Sequence, residues 1–184
     1  MKRLVLGMAA AGTILVAALA PSVFAQAQPL TVAETEGPYF KSNSPERTSL
    51  LDDTSQGTVL TISGQVQAPD GTPIANALLD FWQADPSGQY DNSGYTLRGH
   101  QYADVNGNYT LTTVVPGLYP GRTRHIHVKV QAPNGPVFTT QLFFPGEARN
   151  STDGIFDPSL VLNTQTNADG ASESANFNFV VNAG

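Results

Sequence analysis

Apolar and polar residues alternate in short runs through the chain from residue 59 onward, and turns rich in proline and glycine separate the runs. In the first run Leu60, Ile62 and Val66 share one face, because successive side chains of a β-strand point to opposite sides. About seven or eight such runs, without a helical repeat, predict an all-β sandwich with little helix. The 13 prolines agree with this fold, since proline disrupts helix interiors.

Two of the turns are predicted to form hairpins. Asn106-Gly107 is a strong hairpin signal and divides the segment 98–115 into two predicted strands. A second hairpin is predicted around residues 167–170, where Asn-Ala-Asp-Gly interrupts the segment 160–175.

The first residues of the chain differ in character from the rest. Lys2 and Arg3 precede an apolar stretch over residues 4–20, and the Ala-Gln-Ala sequence at 25–27, with small residues at both ends, follows it. This order is typical of a cleavable secretory signal, so we predict a signal peptide over residues 1–27 and a secreted or periplasmic mature protein. A retained membrane anchor is the alternative, but the apolar stretch is short for a span and contains glycine.

The remainder is predicted to contain two parts. Residues 28–57 are polar and have no sustained period, which indicates an extended N-terminal arm ahead of a β-sandwich domain over residues 58–184. Within the arm, Tyr39 and Phe40 follow a Gly-Pro pair, and their simplest role is to pin the arm to the domain.

Charge and cysteine content restrict the partners and the ligands. The net charge is −6, and loss of the basic signal would make the mature chain more acidic still, so neither nucleic acid nor an anionic membrane is a predicted partner. The sequence contains no cysteine, so disulfides and thiolate ligands are absent. Any metal must be held by nitrogen and oxygen.

Two of the three histidines, His125 and His127, are separated by one residue on a predicted strand. Their side chains therefore lie on the same face, while Ile126 and Val128 point into the core. Such a pair suits zinc, copper, iron or nickel. Two histidines on a half-exposed strand without a metal are the alternative.

The other ligands distinguish between these metals. Asp104 and Glu147 are the carboxylates nearest to completing a facial triad, but each lies in a turn or loop. Tyr119 ends a tight turn six residues before His125, and Tyr90 lies in a glycine-rich excursion. A phenol has a pKa of about 10 and binds a metal at neutral pH only where a strongly charged cation displaces its proton, which favours ferric iron.

Several segments are similar to the intradiol ring-cleavage dioxygenases, and most of all to their short, exported branch. They comprise residues 35–40 (TEGPYF), 80–85 (DFWQAD), 88–90 (GQY), 97–101 (LRGHQ), 116–127 (PGLYPGRTRHIH) and 140–144 (TQLFF). Together they cover roughly residues 31–145. The resemblance implies a β-sandwich that carries a non-haem Fe(III) site and acts on a catechol-type substrate with O₂.

The resemblance also assigns individual residues. It implies four iron ligands, Tyr90, Tyr119, His125 and His127. Arg122 matches the family arginine that stabilises charge on the activated substrate, and Gln141 matches a glutamine beside the substrate. His100 matches no ligand position and is predicted to be structural, and Trp82 is predicted to belong to the core. The sequence does not decide whether the chain forms a homo-oligomer, because the family's oligomeric states do not carry over to this chain.

Three functional hypotheses follow. The first is an exported Fe(III) dioxygenase that opens a catechol between its two hydroxylated carbons to give a cis,cis-muconate-type diacid. The second is a non-catalytic, transthyretin-like binding or structural module, which accounts for the glycines and Tyr119 as parts of a sandwich. The third is a zinc or copper site on the two histidines, which gives no reason for two tyrosines. The sequence does not specify which substituents the substrate's ring carries.

Overall fold

The computed structural model describes residues 26–52 and 56–183, and their regular structure is almost entirely β. The strands are β1 Val59–Gln67, β2 Leu78–Trp82, β3 Arg98–Tyr102, β4 Asn108–Val114, β5 His125–Gln131, β6 Val137–Phe143, β7 Asn163–Thr166, β8 Ser172–Asn176 and β9 Phe179–Val180. Two short 3₁₀ turns, Ala148–Ser151 and Pro158–Leu160, are the helical elements of the described residues. The predicted all-β class is therefore confirmed.

The predicted signal peptide falls mainly on residues 1–25, outside the described residues, and it stays a prediction together with the boundaries of the arm and the domain. In the part that the structure describes, none of the helical elements has the length and apolar character required to cross a bilayer.

Two sheets enclose the core. One has four antiparallel strands in the order β3-β2-β5-β6, and the other has the order β4-β1-β8-β7 with β9 also paired to β1. The alternating apolar residues meet between the sheets, where Leu60 and Ile62 of β1 face Leu79 and Phe81 of β2 in one fully buried cluster. This burial is the main stabilising contribution, at about 25 cal/mol per Å² of apolar surface removed from water.

The predicted hairpin across Asn106-Gly107 is wrong. The reversal itself is present, since the Gly107 amide donates to the Asp104 carbonyl over 2.9 Å, but β3 pairs with β2 and β4 pairs with β1. The turn fixes where the chain reverses, whereas burial of alternate apolar residues decides which sheet each strand joins. The hairpin around residues 167–170 is confirmed by the antiparallel pairing of β7 and β8.

The arm crosses the outer face of the four-stranded sheet, the face opposite to the core. From Glu34 to Arg47 its contacts follow β6, β5, β2 and β3 in turn. They are the Glu34 amide to the Thr139 carbonyl (2.9 Å), the Glu36–Lys129 ion pair, the Phe40 and Trp82 rings (5.0 Å), Ser44 Oγ to Asp80 Oδ1 (2.8 Å) and the Arg47 amide to the His100 carbonyl (2.8 Å). The arm thus forms a wall over the face that carries the histidine pair.

Candidate metal centre and active site

His125 and His127 begin β5 on its outer face, and both are almost fully buried, with 4% and 3% exposure. Their ring centroids lie 4.8 Å apart. His125 Nδ1 lies 2.7 Å from the Thr123 carbonyl oxygen, which can only accept, so Nδ1 carries the proton. The lone pair of Nε2 therefore points away from the backbone, and this atom lies 3.3 Å from the Tyr90 hydroxyl.

His127 packs flat against Trp82, with ring centroids 4.8 Å apart and planes 7° from parallel. Its Nδ1 is buried and has no hydrogen-bond partner among residues 26–52 and 56–183. Burial lowers the pKa of His125 to about 4 and that of His127 well below its usual value, and the positive charge of Arg122 acts in the same direction. Both imidazoles are therefore neutral at pH 7, which is the form that binds a metal ion.

The two tyrosines approach the histidines from separate loops. The Tyr90 ring centroid lies 5.9 Å from that of Tyr119 and 6.3 Å from that of His127. Burial raises the pKa of Tyr90, so its phenol keeps its proton at neutral pH unless a cation displaces it. All four residues that the family resemblance implies as ligands thus lie in one cluster.

Glycine allows the two tyrosine loops to touch backbone to backbone. The amides of Gly88 and Gly117 both donate to the Asp85 carbonyl, over 3.0 and 2.8 Å. A Cβ at Gly88 would lie 2.3 Å from the Leu118 carbonyl oxygen, and one at Gly117 would lie 2.4 Å from that of Pro86. Any side chain here would separate the loops and move the tyrosines apart.

Gly88→Ala is expected to lower the free energy of unfolding by about 3 kcal/mol, because the clash with Leu118 adds to a strained φ of +84°. Gly121→Ala is the matched control, since its φ is +80° but nothing lies within 4 Å of the new Cβ, and about 1 kcal/mol is expected. Denaturant unfolding of both variants measures the difference. Equal losses would contradict the role of close loop contact.

Arg122 lies beside the cluster and is held on two sides. Its Nε donates to Asp153 Oδ2 over 2.8 Å, and its Nη2 donates to Gln141 Oε1 over 2.7 Å. The side chains of Asp153 and Arg122 are 2% and 16% exposed, so this ion pair is partly buried. Gln141 is the register partner of His127 on β6, and its Nε2 donates to the Thr35 carbonyl over 2.9 Å. A fixed cation thus faces the histidines.

Tyr39 belongs to the cluster, which the sequence interpretation did not recognise. Its ring stacks on Tyr90 at 4.4 Å with planes 11° apart, and its hydroxyl lies 3.0 Å from the Tyr119 hydroxyl. The prediction that it pins the arm is therefore incomplete. The signal available in the sequence was its place in the TEGPYF segment.

Two further residues acquire roles only in the folded chain. Asp153 lies between the two 3₁₀ turns, where no motif indicated it, and it orients Arg122. Trp82 is buried at 1% exposure as predicted, but it lies on the outer face of the sheet against His127 rather than between the sheets.

The other candidates lie elsewhere. Asp104 accepts backbone amides of its own turn, and Glu147 pairs with Arg124, so neither carboxylate reaches the histidine pair. His100 Nδ1 lies 3.1 Å from Ser44 Oγ, in a structural position. Within the described ranges no group of three or more His, Cys, Asp and Glu residues could hold a metal ion, which rules out a facial triad there.

The chain is similar to known dioxygenases. The family model described as "Dioxygenase" matches residues 35–183. A chlorocatechol 1,2-dioxygenase from a Pseudomonas species is 29% identical over 176 residues, covering 79% of this chain and 68% of that protein. Catechol 1,2-dioxygenase 2 of Acinetobacter lwoffii is 33% identical over 138 residues, covering 61% of this chain and 50% of that protein.

Solved structures give the same result. The dioxygenase domain of a dioxygenase carbohydrate-binding protein fusion from Streptomyces sp. SirexAA-E is 52% identical, with a TM-score of 0.81, and the match covers 85% of this chain and 100% of that one. The intradiol ring-cleavage dioxygenase from Tetranychus urticae is 25% identical, with a TM-score of 0.77, covering 84% of this chain and 95% of that one.

The fold and the cluster define a β-sandwich protein with a centre of two histidines and two tyrosines beside a fixed arginine. The chain belongs to the intradiol ring-cleavage dioxygenase family. It spans between half and about two thirds of the length of the two named catechol relatives.

Proposed function

We propose that this protein is a ferric intradiol dioxygenase that uses O₂ to open a catechol-type ring between its two hydroxylated carbons, giving a cis,cis-muconate-type diacid. The observation that carries the proposal is the convergence of four side chains of the right chemistry on a chain of this family. These side chains are Tyr90, Tyr119, His125 and His127.

The donor set fits ferric iron better than a divalent metal. It offers two neutral imidazoles and two phenols, and within residues 26–52 and 56–183 the buried Nδ1 of His127 has no protein partner and no carboxylate-containing metal group is present. Phenolates form at neutral pH only against a strongly charged cation, and two of them offset much of the charge of Fe(III). When bound, the ferric ion would act as a Lewis acid toward the catechol.

Tyr119 is the proposed base of the site. A catechol that binds as a dianion must lose two protons; the phenolate oxygen of Tyr119 can accept one of them, and a hydroxide from solvent would take the other to give water. The resulting neutral phenol already has a hydrogen-bond partner, because the Tyr39 hydroxyl lies 3.0 Å away. Tyr39 would thus hold the neutral phenol of Tyr119 by a hydrogen bond after the proton transfer.

Arg122 and Gln141 are proposed to act on the substrate. The guanidinium stabilises negative charge that builds up on the ring, because it is fixed in a partly buried position by Asp153. Gln141 bonds to Arg122 through its oxygen and to the Thr35 carbonyl through its nitrogen, so its amide orientation is fixed. Both side chains are therefore preorganised before the substrate arrives.

The test is colour together with oxygen uptake. Purified protein loaded with ferric iron should absorb visible light through its ferric phenolates and consume O₂ with a catechol. The Tyr119→Phe variant should retain much of the iron, but its absorption should change and it should bind catechol more slowly. The expected cause is loss of one base while three protein ligands remain. Tyr109→Phe is the matched control, since its hydroxyl donates to the Phe177 carbonyl in the core.

A ferric-loaded parent that is colourless and inert toward catechols would contradict the proposal and favour a transthyretin-like module. A substrate panel of catechol, protocatechuate, hydroxyquinol and chlorinated catechols identifies the preferred ring. The named relatives act on catechol and chlorocatechol, so these two are the first to assay.

Export is proposed on the sequence alone. The basic and then apolar start predicts that the mature protein begins near Gln26 or Gln28 and lies outside the cytoplasm. N-terminal sequencing of protein made in an exporting host measures this. An intact Met1 on a soluble cytoplasmic product would contradict it.

A further inference from the structure

Tyr119 and Arg122 are the first and last residues of one tight turn. The Arg122 amide donates to the Tyr119 carbonyl over 3.1 Å. Pro120 and Gly121 lie between them, and Gly121 has a φ of +80°. This sequence and this backbone fit a type II turn, which favours proline and then glycine at its two central positions. The turn therefore sets the spacing between the proposed base and the proposed stabilising cation.

Arg149, in the 3₁₀ turn Ala148–Ser151, bridges the two ends of the tight turn. Its Nη1 donates to the Tyr119 carbonyl over 3.0 Å and to the Arg122 carbonyl over 3.1 Å. Hydrogen bonds from a charged donor are stronger than those between neutral groups. Arg149 thus limits how far the two ends of the turn can move apart.

The 3₁₀ turn is itself fixed to the sandwich through the next residue, Asn150. Its Nδ2 donates to the Phe144 carbonyl over 2.9 Å, directly after β6, and its Oδ1 accepts the Thr123 hydroxyl over 2.6 Å. Thr123 and Phe144 are both buried. Arg149 therefore lies on a rigid support, and its contacts hold the tight turn in a defined place relative to β6.

A second arginine bridges another turn in the same way. The Arg98 amide donates to the Tyr95 carbonyl over 3.2 Å. Leu97, with a φ of +53°, occupies the position that Gly121 holds in the first turn. Arg47 donates to the carbonyls of both Tyr95 and Arg98. This second turn contains none of the four proposed iron ligands, so the molecule supplies its own control for the effect of such a bridge.

We propose that Arg149 is a positioning residue of the ring-cleavage reaction, because its bridge fixes the distance between Tyr119 and Arg122. This inference rests on the proposed function, in which Tyr119 takes a substrate proton and Arg122 stabilises charge on the ring. Both groups act on one small substrate, and a displacement of about 1 Å can cost roughly 10²-fold in rate. Arg149 acts through the backbone of these two residues and not on the substrate.

The experiment compares Arg149→Met with the parent in the full protein. Folding should survive, since Thr123 keeps its bonds to Asn150 and Asp153. In the metal-free protein the Arg122 amide should exchange its hydrogen at least ~10-fold faster, because both carbonyls of the turn lose a charged donor. In the ferric protein the iron content should match that of the parent, but the visible absorption should change and kcat should fall at least ~10-fold.

Arg47→Met is the matched control. Loss of its bridge should speed exchange of the Arg98 amide by a similar factor, while the Arg122 amide, the absorption and kcat remain those of the parent. A merely structural role for Arg149 predicts lower stability but parental kcat and absorption in the folded, iron-loaded protein. That result, or an equal loss of kcat in both variants at full iron content, would overturn the proposal.

A double variant with Tyr119→Phe locates the effect. The absorption that remains in Tyr119→Phe comes from Tyr90, which lies outside the bridged turn. Adding Arg149→Met should therefore leave this remaining band unmoved, since the two changes act on the same group. A further shift would show that Arg149 acts on the whole cluster rather than on the spacing within the turn, and it would overturn the proposal.

These measurements also separate the inference from the proposed function. A ferric-loaded parent that is colourless and inert toward catechols overturns both. A coloured, active parent with faster Arg122 exchange but unchanged kcat in Arg149→Met overturns the positioning role alone. If Arg149→Met does not fold, Arg149→Lys decides. Its ammonium lies one bond nearer the backbone and bridges the two carbonyls less well, so exchange should rise and kcat should fall, and a parental value of either one would overturn the proposal.

Discussion

His127→Ala is expected to lose most of its iron and, with it, ring cleavage. The imidazole is buried at 3% exposure between Trp82 and the rest of the cluster, so no solvent-exposed side chain can take its place. Loss of an outer-shell partner alone typically costs 10–100-fold in metal affinity, so removal of a ligand should cost at least ~10²-fold. Iron content after dialysis, together with oxygen uptake, measures both effects.

The third histidine is the control for this prediction. His100→Ala removes an imidazole that bonds to Ser44 and lies outside the ligand cluster, so its iron content should match that of the parent. Truncation of His127 also leaves a ring-sized space against Trp82, and added imidazole should restore part of the iron. Full iron occupancy in His127→Ala without imidazole would show that His127 is not a ligand.

The histidine pair and the core could be predicted because they depend only on the period of a β-strand. Side chains alternate along β5, so His125 and His127 had to share one face while Ile126 and Val128 shared the other. The structure confirms this, since both apolar residues lie in the core cluster and the histidines lie outside it. Local geometry decided the outcome, and no distant residue was needed.

The arm's contribution could not be predicted, because its contacts join residues far apart in the chain. Tyr39 and Tyr119 are 80 residues apart, yet their hydroxyls lie 3.0 Å from each other. The reversal at Asn106-Gly107 shows the same limit, since the turn formed but its strands joined different sheets. Turn chemistry and periodicity specify local structure, whereas tertiary burial decides which segments meet.

The two arginines on either side of Thr123 allow catalytic and structural roles to be separated. Arg122 bonds to Gln141 and to a buried carboxylate, Asp153, rather than to a surface group. Arg124 pairs with Glu147 and donates to a backbone carbonyl, away from the ligand cluster. The pair therefore supplies a matched comparison within three residues of sequence.

Arg122→Leu is expected to keep its fold, iron and colour but to lose at least ~10²-fold in kcat, the typical cost of removing one group that stabilises developing charge. Folding should survive because Asp153 still accepts the backbone amides of Thr123 and Ile155, over 2.8 and 3.0 Å. Arg124→Leu breaks a partly exposed ion pair worth roughly 1 kcal/mol and should lose far less activity. Steady-state oxygen uptake at known iron content measures both variants, and an equal loss in the two, or normal turnover in Arg122→Leu, would contradict a catalytic role for Arg122.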